Sequence, residues 1–269
     1  MYAFTYHRPT SVHEAADLLA KLEDAKILAG GHTLLPTMKQ RLAAPSALID
    51  LGRCNELRGI TRSADTVTIG AMTTHAEVAC SAEVKDAIPA LAELAESIGD
   101  PHVRHRGTLG GSVANNDPSA DYPAACLALG AVISTNRREI PADEFFRGLF
   151  ETALEEGEIV THVSFPIPRK AAYAKFRNPA SRYALAGVFV AKRAGDVRVA
   201  VTGAGADGVF RVPAMEEALT KQFSAKSLDG IAVAPDGLSS DIHADAEYRA
   251  HLIGVMTRRA VEAAASDTK

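Results

Sequence analysis

The sequence predicts an α+β fold. Three observations predict it. Over residues 1–170, short apolar strands alternate with helical segments that carry their own start signals. Beyond about residue 170, consecutive strands follow one another with only tight turns between them. The chain then closes on amphipathic helices, so sheet and helix are segregated there rather than alternated.

The elements follow in order. Ser11, with Glu14 three residues on, has the form of a capping box, and Ala15, Leu18, Leu19 and Leu22 continue at helical spacing. "AKILAGG" (25–31) is a buried strand running into a turn, with a helix-like segment after it, and "ALIDLG" (47–52) is a second short strand. "DTVTIGAMTT" (65–74) is a strand that ends at another capping box, Thr74 to Glu77. Residues 82–99 are helical, and Pro89 divides them or opens a new helix. A polar, glycine-punctuated loop is expected over 99–123, then a small-residue helix "AACLALGA" and a strand "AVISTN". "EGEIVTHVSFPI" (156–167) alternates as a strand. After the boundary near 170 come antiparallel strands with a turn at Gly195–Asp196, then helices over 213–221 and 245–265.

Composition narrows the function. A net charge of −4 with a pI near 6.1 excludes a dedicated nucleic-acid binder. No apolar run reaches the roughly 20 residues of a membrane span. The N-terminus lacks the basic start and apolar stretch of a signal peptide, so a cytoplasmic protein is expected. Cys54, Cys80 and Cys126 stand far apart with no CxxC, which predicts reduced, mostly buried thiols, no iron–sulfur cluster and no metal site in this chain.

Two clusters carry the chemistry. The first is Ala29, Gly30, Gly31, His32, Thr33 and Leu34. Glycines let backbone N–H groups approach an anion, and a following helix start adds its positive end. The Gly-Lys-Ser/Thr ending of a Walker loop and the third glycine of a dinucleotide fingerprint are both missing, so this stretch alone fits a plain turn as well as a phosphate cradle. The second cluster, "RGTLGGSVANNDPSADYP", holds Thr108, Leu109, Gly110, Gly111 and Ser112 before a run of Asn and Asp. Two Gly–Gly pairs with adjacent hydroxyls suit a diphosphate that links two bulky groups, hence a dinucleotide-type ligand. "GAGADG" (203–208) matches GxGxxG literally, but "VFRV" intervenes before a helix can start, so it predicts a glycine-rich β-turn and not a nicotinamide site. His102 and His105 sit among arginines with no third ligand, and His32 suits phosphate or flavin positioning better than acid–base work.

With both clusters in view, the sequence resembles the medium, FAD-binding subunit of the molybdenum hydroxylases, the carbon monoxide dehydrogenase and xanthine dehydrogenase group. The resemblance is carried by "LAGGHTLLPTMKQR", "IGDPHVRHRGTLGGSVANNDPSADYPAACLALGA", "EIVTHVSFP", "YAKFRNPASRYALAGV" and "DIHADAEYRAHLIGVMTRRAV", in the family's order and over nearly the whole chain. It implies a vanillyl-alcohol oxidase (p-cresol methylhydroxylase, PCMH)-type FAD-binding domain over 1–170, with subdomains of about 1–55 and 56–170. A carbon monoxide dehydrogenase flavoprotein-type C-terminal domain, a three-stranded antiparallel sheet with helices, would occupy 171–269.

The resemblance also implies roles. Ala29 to Thr33, with Leu34, and Thr108 to Ser112 would embrace the FAD diphosphate. Asp121 matches an acidic FAD contact, Ile159 or Val160 an apolar contact, Lys175 a lysine near the flavin ring, and Tyr183 an aromatic against the isoalloxazine. The substrate would be oxidised at a molybdopterin cofactor on a large partner subunit. Electrons would pass through [2Fe–2S] clusters on a small subunit to this FAD, and on to an external acceptor. The expected assembly is a dimer of heterotrimers with no transmembrane segment and a possible peripheral contact with a membrane electron acceptor. The competing readings are a stand-alone FAD-dependent oxidoreductase of the same fold, which lacks an evident substrate-side acid or base here, and a non-catalytic binding module, against which the intact glycines speak.

Overall fold

A computed structural model describes residues 1–266. Its first unit is a three-stranded parallel sheet in the order Thr5–His7, Ala47–Asp50, Ala25–Leu28. Parallel neighbours need a crossover, and the helix Leu34–Lys39 supplies it between the last two strands. The helix Val12–Lys21 packs on the same sheet through Ala15, which is fully buried with Ile49 and Leu51. Its expected capping box is only half formed: Ser11 Oγ accepts from Glu14 N–H, while the Glu14 carboxylate reaches the amide of Thr10 instead of Ser11.

The second unit is a five-stranded antiparallel sheet in the order Ile60–Arg62, Thr66–Gly70, Val160–Pro166, Val132–Thr135, Glu139–Pro141. Helices Ala82–Ala87 and Pro89–Glu96 meet at Pro89, which opens the second of them. The Thr74–Glu77 capping box is complete and starts the helix His75–Cys80. The core runs from Val67, Ile69, Val163 and Phe165 on the sheet into the helix Tyr122–Leu129, where all eight residues are buried. A helix apolar all round must be covered on every side. The reason lies in the third unit, which covers it from the far side.

That third unit is an antiparallel sheet of Lys170–Arg177, Ala184–Lys192, Val197–Thr202 and Phe210–Arg211. The expected three strands are present, with a two-residue fourth at the edge. One face carries Val188, Val190, Val199 and Val201 against the long helix Ala246–Ser266. The other face places Phe189, Ala191 and Ala200 in the same core as helix Tyr122–Leu129. Both faces are covered, which explains the unbroken apolar run "ALAGVFVA". Arg249, 2% exposed, locks the long helix to the sheet by donating to the carbonyls of Leu185 and Gly203 at 2.7 Å and pairing with Asp241.

The loop expected over 99–123 is corrected, while the mostly buried thiols are as expected. The polar stretch 99–123 is not a long loop: Pro101–Arg104 and Leu109–Asn115 are helices, each capped by an acidic or hydroxyl side chain, Asp100 or Thr108. Small and polar residues hid the helical pattern because helix Leu109–Asn115 is held by its cap and its backbone contacts, not by a broad apolar stripe. Of the three thiols, Cys54 and Cys126 are buried but Cys80 is exposed.

Glu158 closes the far end of the five-stranded sheet. It receives Arg138 through both guanidinium nitrogens at 2.9 Å, and also the Glu155 amide and the Thr135 hydroxyl. The Arg138 hydrogen bonds hold its carboxyl at about 2, far below the ordinary value near 4.3. A carboxyl depressed in the folded state stabilises fully above the unfolded value and loses that contribution as the pH falls through the folded one. Glu158→Gln is therefore expected to lower the unfolding free energy at pH 7 by about 2 kcal/mol, the range of a hydrogen-bonded charge discounted for the half-exposed arginine. The gap to the parent should narrow steadily between about pH 4.3 and pH 2, as denaturant titrations at neutral and acid pH will read.

Candidate functional site

The first arm of the site leaves strand Ala25–Leu28, turns through Ala29–Thr33 and enters helix Leu34–Lys39. Gly31 has φ +77, the left-handed region that a side chain would disfavour. Among the described residues, the backbone amides of Gly31, His32, Thr33 and Leu34 meet no acceptor. Four successive donors left open at the start of a helix are of the kind an anion can use. The side chains of His32 and Thr33 are exposed beside it. Lys39 and Arg41 lie at the far end of the helix, where the Arg41 guanidinium sits 5.6 Å over the Tyr2 ring.

The second arm differs from expectation. Gly110 and Gly111 are not a turn but the second and third residues of helix Leu109–Asn115. Its early amides are already engaged: Leu109 N–H donates to the Thr73 carbonyl at 3.0 Å, Gly110 N–H to the Ala71 carbonyl at 2.9 Å, and Gly111 N–H to Thr108 Oγ1 at 3.1 Å. The two glycines serve different ends. A Cβ on Gly110 would lie 2.8 Å from the Ala71 carbonyl oxygen, so this residue lets the helix seat on the strand end. An added Cβ on Gly111 would lie 2.8 Å from its own cap, Thr108 Oγ1, and 3.6 Å from the Ala29 Cβ of the first arm.

The arms meet elsewhere as well. A Cβ on Gly30 would collide with the Arg106 carbonyl and lie 2.8 Å from the Gly107 Cα. Beneath this contact lies His75, 5% exposed, its Nδ1 without a partner among the described residues and its ring 5.4 Å from that of Tyr122. The Tyr122 hydroxyl is likewise buried without a partner. Burial, then the neighbouring charges of His32 and Arg104, drives the His75 pKa down to about 4, so the imidazole is neutral at pH 7.

The remaining predicted residues fall in two groups. Asp121 and Lys175, named separately from the sequence, form one ion pair: the ammonium and carboxylate are 2.9 Å apart, with side chains 3% and 5% exposed. Tyr173 also donates its hydroxyl to Asp121. Tyr183 lies just beyond, half exposed. Its phenol is pushed above the usual value by partial burial and by the charges of Asp117 and Asp121. Ile159 lies apart from that group, buried with Ile49 and Met72 in the small core against which Ala29 packs, so it supports the first arm from below. Val160 belongs to the larger core. The late "GAGADG" is a turn between strands Val197–Thr202 and Phe210–Arg211, as expected, with no helix on its phosphate side.

Tyr173 and His75 escaped sequence reasoning. Tyr173 stands two residues before Lys175 on one strand, and period-two alternation places both on one face. That signal was available. His75 had none, because only the tertiary contact with Gly107 and Tyr122 distinguishes it from any helix-start histidine.

Residues 2–168 match the family described as the FAD binding domain in molybdopterin dehydrogenase. The chain belongs to that family. With this membership comes the α+β fold of the PCMH-type FAD-binding domain, as the resemblance implied. The carbon monoxide dehydrogenase medium chain of Hydrogenophaga pseudoflava is 39% identical over 277 residues, which cover 97% of this chain and 96% of that one. The nicotine 6-hydroxylase medium subunit of Paenarthrobacter nicotinovorans is 39% identical over 281 residues, 99% of each chain. Among solved structures, the reconstituted CO dehydrogenase from Oligotropha carboxidovorans aligns with a TM-score of 0.90 at 35% identity over 99% of both chains. In this family's terms, the open amides, the facing Gly111 and the Asp121–Lys175 pair are candidate positions around an FAD.

The two glycines of the second arm should separate experimentally. Gly110→Val is expected to destabilise the whole chain by several kcal/mol through overpacking on Ala71, about 3 kcal/mol or more. Gly111→Val should instead abolish FAD binding while leaving the C-terminal sheet folded. Thermal denaturation and bound-flavin absorbance of both variants check this contrast. For His75, the folded value near 4 lies below the ordinary 6.5. Its contribution is thus complete above pH 6.5 and is lost as the pH falls toward 4, because the unfolded chain takes up the proton first. His75→Gln is expected to flatten the stability profile between those values in apo-protein melts.

Proposed function

We propose that this chain is the FAD-binding medium subunit of a multi-subunit molybdenum hydroxylase. The observation that carries the reading is the run of open amides at Gly31–Leu34, on an arm whose Ala29 side chain faces Gly111 of helix Leu109–Asn115. That geometry fits a diphosphate on its donors and on its steric limits. When bound, FAD accepts electrons from the iron–sulfur clusters of a partner subunit and yields them to an external acceptor.

This chain's own residues bind and orient. The amides of Gly31, His32, Thr33 and Leu34 neutralise diphosphate charge without a lysine or a metal ion. Helix Leu109–Asn115 forms the opposing wall, with Thr108 as its cap and the Ser112 side chain unengaged among the described residues. Asp121 and Lys175 present a paired, buried carboxylate and ammonium to the ring end of the ligand. Tyr183 lies outside them, where its exposed ring can cover the flavin. Ile159 fixes the first arm through Ala29.

We read the domain order as an FAD-binding part over 1–170, divided near 55, and a C-terminal part over 171–269. The family match ending at 168 and the sheet that begins at Lys170 support that division. The relatives are named medium chains or subunits, which supports a large molybdopterin-bearing partner and a small [2Fe–2S] partner, arranged as a dimer of heterotrimers. Among the described residues no helix is long and apolar enough to cross a membrane. A cytoplasmic location with peripheral delivery to a membrane acceptor is consistent with that.

Purified chain reconstituted with FAD is expected to retain one flavin per chain after gel filtration and to show the bound-flavin absorbance bands. Co-purification with iron and molybdenum from the native source is expected alongside. Flavin that passes straight through the column would overturn the assignment.

A further inference from the structure

The Asp121 carboxylate faces a choice that its sequence position creates. It immediately precedes helix Tyr122–Leu129, where Asp is a favoured N-cap. Yet it makes no capping hydrogen bond, and its backbone is helical (φ −78, ψ −42) instead of extended. Pro123 removes one first-turn donor, and the Ala124 amide bonds the Asp121 main-chain carbonyl at 3.2 Å instead of its side chain. The carboxylate reaches across to strand Lys170–Arg177, where it meets Lys175 and the Tyr173 hydroxyl.

Tyr173 is itself held from three directions. Its ring stacks on Phe189 with centroids 6.1 Å apart and planes at 29°. Phe189 is its register partner on the neighbouring strand, and Gly187 is the partner of Lys175. A Cβ on Gly187 would lie 3.1 Å from the Tyr173 Cζ and 3.0 Å from the Thr202 side chain, so the absence of a side chain there creates the slot that the phenol fills. The same Thr202 donates to the carbonyls of Pro118 and Ala120, which fixes the loop leading into Asp121.

We propose that Tyr173 is a positioning residue for the flavin site: its hydroxyl holds the Asp121 carboxylate in the orientation that bridges to Lys175. The inference rests on the FAD reading above. Without the hydroxyl, Lys175 is the one side-chain partner left to the carboxylate among the described residues, so the carboxylate can turn and the ammonium loses its fixed partner for part of the time. Gly187 is then the residue that admits the device, because any side chain there expels the phenol.

The test uses Tyr173→Phe, which removes one oxygen and leaves the ring stacked on Phe189. Full-length parent and variant are compared for FAD dissociation constant by flavin fluorescence, for flavin midpoint potential by spectroelectrochemistry, and for apo-protein melting temperature. The variant is expected to bind FAD about tenfold more weakly, the loss of one charge-assisted hydrogen bond, and to shift the midpoint potential. Its apo melting temperature should hold, because the ring stays stacked on Phe189 and the Asp121–Lys175 pair remains. The same substitution in an Asp121→Asn/Lys175→Met background, which deletes both charges together, should change neither binding nor potential further. A lower melting temperature with unchanged binding and potential would make Tyr173 a structural strut and overturn the proposal. An equal effect in the double background would show that it acts without Asp121 and overturn it too. A parent chain that binds no FAD at all would instead remove the flavin reading, and this inference with it.

Discussion

The structure depends on backbone meeting backbone at two places where a side chain would stand in the way. Gly30 rests on the Arg106 carbonyl and the Gly107 Cα, and Gly110 rests on Ala71. The first contact brings the parallel-sheet unit against the antiparallel-sheet unit, and the second seats helix Leu109–Asn115 on the end of strand Thr66–Gly70 within the latter. Repulsion between atoms rises so steeply that a single methyl group at Gly30 would push the arms apart. The glycines therefore act as spacers of zero thickness as well as turn residues. The open amides at Gly31–Leu34 follow from the same geometry, because the chain enters a short helix with no residue placed to cap it.

A second constraint sits at the other end of the site. The pair formed by Asp121 and Lys175 is almost wholly buried, and such pairs add little net stability because both ions lose water. Here the pair joins helix Tyr122–Leu129 to the C-terminal sheet at the point where the flavin ring is proposed to lie. The structure gives it a third member, Tyr173, whose phenol is held well above its usual pKa by burial and by the adjacent carboxylate, so it remains a donor. The apolar packing around Phe189 and Ala200 supplies the stability, and the buried polar group sets orientation.

Much of this was legible beforehand, for reasons that differ by element. Helix 213–221 and the strands after 170 were visible because their residues face a core with regular period. The Thr74–Glu77 cap was visible because capping is a local interaction over three residues. Helices Pro101–Arg104 and Leu109–Asn115 were not, since glycine, serine and asparagine have weak helix propensity and the segment is stabilised by partners at 71–75 far along the chain. The site was half legible. Gly30, Gly31, Gly110 and Gly111 stood out as pairs, and Asp121, Lys175 and Tyr183 entered through family resemblance. The period-two alternation of strand Lys170–Arg177 placed Tyr173 beside Lys175, but no pattern announced that Asp121 touches Lys175 or that His75 lies nearby.

The sequence by itself determined the α+β class, the two glycine pairs and their hydroxyl neighbours, and the dismissal of the late GxGxxG run. All of these are set by local periods, caps and the identity of consecutive residues. Only the tertiary structure decided that the second glycine pair is a helix start whose early amides are occupied, that four successive amides on the first arm meet no acceptor among the described residues, and that a tyrosine and a lysine share the Asp121 carboxylate. Those facts are fixed by which distant segments share a surface, and a hydrogen bond between residues 121 and 173 leaves no trace in the spacing of either stretch.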